Sequence, residues 1–215
     1  MTPRQQRLKT HMPIVSLIGY TSSGKTTLFN LLSSENGEIS SSLFTTLSTT
    51  TRSFRISNNE KESSLLLIDT VGFISRLPHY MIDAFKATLE ESLAADLILL
   101  LVDASERLED IRIKYNSCWN VLDELKVNKS KVFVILTKCD GQVGSSEHIE
   151  KIANDLRLLQ PTSISSKTGY GIHNLKAMIA NNLFSPILSG DEYQANVRKV
   201  PVEDAYTTSL PTVHT

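Results

Sequence analysis

The chain has 215 residues, 40% of them hydrophobic and 21% charged, with 22 Lys+Arg against 23 Asp+Glu for a net charge of −1. At roughly 150 residues per domain, that is one complete core plus extra segments, large enough to fold without disulfide or metal staples. Collagen-like, disulfide-scaffold and wholly disordered classes are excluded by the composition, and the charge balance gives no global field for nucleic acid, DNA included, or an anionic membrane, which leaves only a local patch.

Cys118 and Cys139 match no metal-ligand spacing and no disulfide framework, so they are expected as reduced thiols in a cytoplasmic protein. The N-terminal stretch lacks the apolar run of a signal peptide. The most apolar stretch, Leu97–Val102, is far short of the ~20 residues that span a bilayer. No membrane attachment is expected.

In chain order, residues 1–12 carry Arg4, Arg7 and Lys9 with no acidic residue, and read as a basic connecting arm. The run Ile14–Ile18 predicts a strand covered on both faces, and a helical pattern follows over Lys25–Ser33. Glu35–Arg52 is rich in Ser and Thr without a period; a loop that long is usually functional or disordered. Arg52–Ile56 alternates as an edge strand does, and Leu65–Ile68 is again apolar throughout. Met81–Ala94 predicts a helix, Leu97–Val102 a strand, Glu109–Lys126 a helix and Val132–Leu136 a strand. Two more helices are predicted over His148–Leu159 and Ile172–Leu183. From Ser185 the chain has three prolines and little periodicity, so residues 185–215 read as a tail outside the core. Alternating strands and helices define an α/β class: a mostly parallel, six-stranded sheet with helices on both faces, spanning residues 13–184. Ligands of such sheets sit beyond the carboxyl ends of the strands.

Four motifs fall at such ends. Gly19-Tyr20-Thr21-Ser22-Ser23-Gly24-Lys25-Thr26 fits G-x-x-x-x-G-K-S/T without mismatch, after a strand and opening a helix. Its glycines let successive N–H groups converge on phosphate oxygens, and the helix N-terminus adds its positive dipole end. Lys25 is placed to reach the outer phosphates and Thr26 to ligate Mg²⁺. Next, Asp69-Thr70-Val71-Gly72 closes an apolar run as D-x-x-G, with Asp69 near the metal and the Gly72 N–H available to the γ-phosphate. Third, Thr137-Lys138-Cys139-Asp140 resembles the guanine-reading N/T-K-x-D motif. The Asp140 carboxylate can accept from both guanine N1–H and the 2-amino group, donors that adenine lacks. Lys138 would lay its stem along the base, and Cys139 reads as a space-filler. Fourth, Ser165-Ser166-Lys167 resembles the S-A-K loop that closes over guanine. A hydroxyl between the first two motifs would complete the Mg²⁺ shell while the γ-phosphate is present. Thr45, Thr46, Thr49, Thr50 and Thr51 compete for that role.

Residues Asp69–Ser105, with the LPH…AF.ATLEE segment, resemble the HflX family of ribosome-associated GTPases, and the first two motif regions match it in order and spacing over about residues 13–184. The resemblance implies a Ras-like GTPase fold, GTP/GDP and Mg²⁺ as ligands, and the large (50S) ribosomal subunit as partner. It selects Thr46, in Phe44-Thr45-Thr46-Leu47-Ser48, as the switch threonine. Metal ligation by Thr26 and Thr46 follows, with Asp69 acting through water. The family usually has Asn at the position of Ser22, which in related GTPases helps hold an activating K⁺, so K⁺ is doubtful. Ser48 stands in place of Asp and Thr137 in place of Asn. The family's N-terminal domain has no counterpart among these residues, unless Arg4–His11 is the end of the segment that follows it, so three readings stand: a fragment lacking an upstream domain, a divergent short form, or one domain of a longer product.

Phe73 follows D-x-x-G where Ras-type enzymes have a water-orienting glutamine, and a phenyl ring neither donates nor accepts. Intrinsic hydrolysis is therefore expected to be slow, on the order of 10⁻⁴ to 10⁻³ s⁻¹ by analogy with unassisted small GTPases. Catalysis then rests on Lys25, Thr46 and Gly72. Arg52 and Arg76 are possible charge stabilisers in cis, with partner or solvent contact the competing role; His79 fits a surface or partner contact. Two rival functions stand beside the GTPase: a nucleotide-holding scaffold without significant hydrolysis, and a P-loop kinase.

Overall fold

The computed structural model describes residues 12–34, 50–58, 61–70 and 93–184. Its strands are β1 (Ile14–Gly19), β2 (Thr50–Asn58), β3 (Lys61–Asp69), β4 (Leu97–Asp103), β5 (Val132–Thr137) and β6 (Thr162–Ser163). The helices are α1 (Lys25–Ser34), α2 (Leu108–Glu124), α3 (Ser146–Asp155) and α4 (Ile172–Phe184), with short 3₁₀ turns at Lys129–Lys131 and Gly141–Gly144. They form one six-stranded sheet in the order β2-β3-β1-β4-β5-β6, parallel except where β2 pairs antiparallel with β3. The connecting arm, the Ser/Thr-rich loop, most of the predicted Met81–Ala94 helix and the tail lie outside the described residues.

Apolar residues on successive positions of β1 and β4 are divided between two cores. Ile14, Ile18, Ile98, Leu100 and Val102 face one side of the sheet, with Ile111, Cys118 and Leu122 of α2 and Ile152 of α3. Val15, Leu17, Leu97, Leu99 and Leu101 face the other, with Leu28, Phe29 and Leu32 of α1 and Leu175 and Ile179 of α4. A strand alternates its side chains between faces, so a continuous apolar run is what two covered faces require. On the edge strand β2, Phe54 and Ile56 are buried while Ser53, Arg55 and Ser57 are exposed, which accounts for the alternation.

Element ends differ from the sequence expectation for a definable reason. Helix α2 stops at Glu124 and α3 at Asp155, short of the expected ends, because Lys126 and Arg157 adopt left-handed φ of 52°. In each case the next N–H, of Val127 or Leu158, bonds the carbonyl of Leu122 or Ala153, closing a Schellman cap without its usual glycine. At its other end α3 starts early, at Ser146, since the Ser145 hydroxyl accepts from His148 N. Strand β3 begins at Lys61 rather than Leu65 because its polar first half pairs with β2.

Candidate functional site

The carboxyl ends of β1, β3, β4 and β5 reach the same edge of the sheet, with β1 between β3 and β4. Each run of apolar residues ends there on a small or polar one: Gly19, Asp69, Asp103 and Thr137. Strand β1 passes through Tyr20–Gly24 into α1. Gly19 (φ +149°) permits this, since a Cβ there would lie 2.5 Å from the Leu101 carbonyl oxygen and 2.8 Å from Ser23 Oγ. Gly24 (φ +90°) and Ser22 (φ 66°) complete the curl, and Ser23 N donates to the Tyr20 carbonyl at 3.2 Å.

Lys25 is buried, and its Nζ donates to the carbonyls of Gly19 (3.0 Å) and Tyr20 (2.9 Å), across the loop mouth. Burial lowers its pKa, opposed by the nearby charge of Asp69. Thr26 Oγ1 donates to Asp69 Oδ2 at 2.8 Å, joining the first and second motifs. Burial pushes the Asp69 carboxyl above its ordinary range, against the Thr26 bond and the Lys25 charge. Asp69 Oδ1 is buried without a hydrogen-bond partner among the described residues, as is Ser23 Oγ. A threonine hydroxyl beside a carboxylate with spare lone pairs is a hard-oxygen set that fits Mg²⁺. Thr70 turns its hydroxyl inward to the Leu17 carbonyl at 2.7 Å, so that side chain ties β3 to β1.

The third and fourth motifs also meet. Asp140 Oδ1 accepts from Ser165 Oγ at 3.0 Å, and Cys139 N donates to the Ile164 carbonyl at 3.0 Å. Thr168 N donates to Ser165 Oγ (3.3 Å) and Gly169 N to the Ser165 carbonyl (2.9 Å), which closes the loop bearing Ser166 and Lys167. Cys139 is buried, with its thiol pushed up to about 11 by desolvation, as a space-filler would be. Thr137 does more than fill a position. Its Oγ1 lies 2.8 Å from the Ser23 carbonyl and 3.1 Å from that of Val102, so one hydroxyl links β5 to the first loop and to β4.

Two residues take places the sequence did not indicate. Asp103 Oδ2 pairs with Lys138 Nζ at 2.5 Å; its signal was an acidic residue closing an apolar strand, as Asp69 does. Arg52 packs along α1, with its guanidinium 5.0 Å from the Phe29 ring and donating to Ser33 Oγ (2.9 Å) and Asn30 Oδ1 (3.3 Å). These partners lie in the later turns of α1, away from the loop at its N-terminus. That placement gives Arg52 a packing role along α1. Phe44, Thr45, Thr46, Leu47, Ser48, Val71, Gly72, Phe73, Arg76 and His79 lie outside the described residues.

The sheet order and the loop–helix junction define a P-loop GTPase domain. A family model described as 50S ribosome-binding GTPase matches residues 14–138. The chain belongs to that family. It is 44% identical to a GTPase HflX of Thermococcus kodakarensis over 137 residues, covering 64% of this chain and 30% of that protein. It is 39% identical to a GTPase HflX of Methanocaldococcus jannaschii over 171 residues, covering 79% of this chain and 41% of that one. Among solved structures, a GTP-binding protein from the hyperthermophilic archaeon Sulfolobus solfataricus in complex with GDP superposes with a TM-score of 0.59 at 26% identity, covering 83% of this chain and 55% of that one. The chain thus spans less than half the length of these curated relatives, and the HflX resemblance read from the sequence is borne out.

Proposed function

We propose that this chain is the GTP-binding and GTP-hydrolysing part of a GTPase that associates with the large ribosomal subunit in a nucleotide-dependent way. One observation carries the reading. The Gly19–Thr26 loop, a Thr26–Asp69 pair and an Asp140–Ser165 pair stand along one sheet edge, with Asp69 on one side of the loop's strand and the Asp140 turn on the other, so that metal, phosphate and base would follow in that order. In this reading the backbone N–H groups from Gly19 to Thr26 and the Lys25 ammonium hold the phosphates. Thr26 and Thr46 ligate Mg²⁺ and Asp69 meets it through water; when bound, the ion supplies positive charge to the phosphate oxygens. Gly72 offers its N–H to the γ-phosphate. Thr137–Asp140 and Ser165–Lys167 hold guanine. The kinship with proteins named GTPase HflX supports the reaction, and the family description supports the ribosomal partner.

Hydrolysis by the chain alone is slow in this reading, because Phe73 has no group with which to orient water. An arginine-assisted GTPase gains on the order of 10³ to 10⁵-fold from its partner. This chain has no excess of basic residues for grip on ribosomal RNA, since phosphate contacts need Lys or Arg. Stimulation by 50S subunits should therefore be about tenfold or less, rising when an upstream domain is joined to it. Phosphate release at fixed GTP across a titration of 50S subunits measures this. A flat rate in both forms refutes the ribosomal part, and tight GTP binding without turnover assigns the nucleotide-holding scaffold instead.

A further inference from the structure

Lys138 sits between two carboxylates with different duties. Asp140 points to Ser165, and Asp103 at the end of β4 takes the lysine. We propose that Asp103 is a positioning residue for base recognition: it fixes the Lys138 ammonium so that the lysine's aliphatic stem forms one wall of the guanine slot. This rests on the guanine reading above.

The geometry is asymmetric in the way a positioning role requires. Asp103 is held before the lysine reaches it. Its Oδ1 accepts from Ser105 N at 3.0 Å and Ser105 Oγ at 2.6 Å, and its side chain is only 7% exposed. Oδ2 meets Lys138 Nζ at 2.5 Å, while the lysine side chain is 43% exposed. One partner is a buried fixed anchor, and the other is a long chain with four rotatable bonds lying at the surface.

The backbone agrees. Ala104 N donates to the Thr137 carbonyl at 3.0 Å, so the turns after β4 and β5 are pinned side by side. Lys138 adopts a left-handed φ of 59°, which an L residue holds only where its surroundings over-determine it. Thr137 and Cys139 on either side are both tied, through Thr137 Oγ1 and the Cys139 N–H. Backbone bonds thus fix where the lysine starts, and Asp103 fixes where it ends. Exposed ion pairs contribute little. A pair with one buried, pre-oriented member loses less freedom on forming, because only the lysine has rotamers left to give up.

The test is a double-mutant cycle in the full chain with Mg²⁺, reading GDP and GTP affinity by fluorescent-nucleotide titration for wild type, Asp103→Asn, Lys138→Met and the double variant. Asp103→Asn keeps an acceptor for Ser105 and removes the charge; Lys138→Met keeps the stem and removes the ammonium. Each single change should weaken GDP and GTP alike, by about fivefold, as the loss of one charge-assisted bond to a base-holding group implies. The double variant should be no weaker than the weaker single. Unchanged affinity in Asp103→Asn overturns the proposal. So does a loss that repeats in full on the Lys138→Met background, since that places the effect in the turn and not in the pair. If Asp103→Asn does not fold, Asp103→Glu, which keeps the charge but moves it, carries the same cycle with the same criteria. A wild type that binds ADP as well as GDP overturns the guanine reading itself, a separate result.

Discussion

Replacing Thr137 by Val removes one oxygen from the centre of the site and tests whether its two halves are mechanically joined. The hydroxyl lies between the carbonyls of Ser23, in the phosphate loop, and Val102, at the end of β4, and the residue is 3% exposed. A buried hydrogen bond contributes about 1 kcal/mol net, and an acceptor left unpaired adds to the loss. Thr137→Val should therefore cost about 1–2 kcal/mol. For a domain of this size that lowers the melting temperature by roughly 2–8 °C. In the proposed reading GDP affinity should fall too, because the Gly19–Thr26 loop and the Thr137–Asp140 turn lose their direct tie and must be ordered by the ligand. Ordering of that kind costs on the order of 1 kcal/mol, or about fivefold. Differential scanning calorimetry and nucleotide titration read the two effects on the same samples. Thr137→Ser keeps the hydroxyl and is the control. An unaltered melting temperature and affinity in the valine variant, or equal losses in the serine one, would refute the tether.

Other expectations test the remaining parts of the site. Lys25→Ala should weaken GTP binding by more than about tenfold, or 1.4 kcal/mol, since Lys25 is the cation held at the loop mouth; unchanged affinity sinks the phosphate assignment. Asp140→Asn exchanges an acceptor pair for one acceptor and one donor and should move preference from GTP toward XTP, read by competition between the two nucleotides. Asp69 gives a pH test. Its carboxyl is raised by burial, so its contribution to stability is fully present below the unfolded carboxylate value near 4 and is lost as pH rises through the folded value. Without nucleotide or Mg²⁺, Asp69→Asn should melt higher than wild type at pH 7, with the gap closing toward pH 4; a lower melting temperature at pH 7 contradicts the sign.

The sheet was legible because each covered strand is a short apolar run, and the site because glycines and charges break those runs at one end. The helix ends were not. Lys126 and Arg157 carry no sign that they will turn left-handed; hydrogen bonds back to Leu122 and Ala153 decide it. The packing of Arg52 was hidden for a related reason. Its place in the chain put it near a switch, whereas its side chain is drawn along α1 by Phe29 and Ser33, a contact that exists only once β2 is paired with β3. Thr137 stood out only as a replacement for the commoner Asn, whereas its hydroxyl spans three elements that only the fold brings together.

The groups that define the site are also those the fold tolerates least. Lys25 and Asp69 are charges withdrawn from water, each shifted toward its neutral form. Ser22 and Lys138 hold left-handed backbone without being glycine, and Asp69 Oδ1 and Ser23 Oγ are buried without protein partners among the described residues. Such features persist where the surroundings impose them, and they cluster at binding sites. Here the imposing structure is apolar and covered on both faces, with β1 and β4 buried throughout. A nucleotide with its metal would bring the missing complements together: anionic oxygens for Lys25, positive charge for Asp69, and hydrogen-bond donors for Asp140. The ligand that the motifs predict is thus the one whose groups would complement the buried charges of the site.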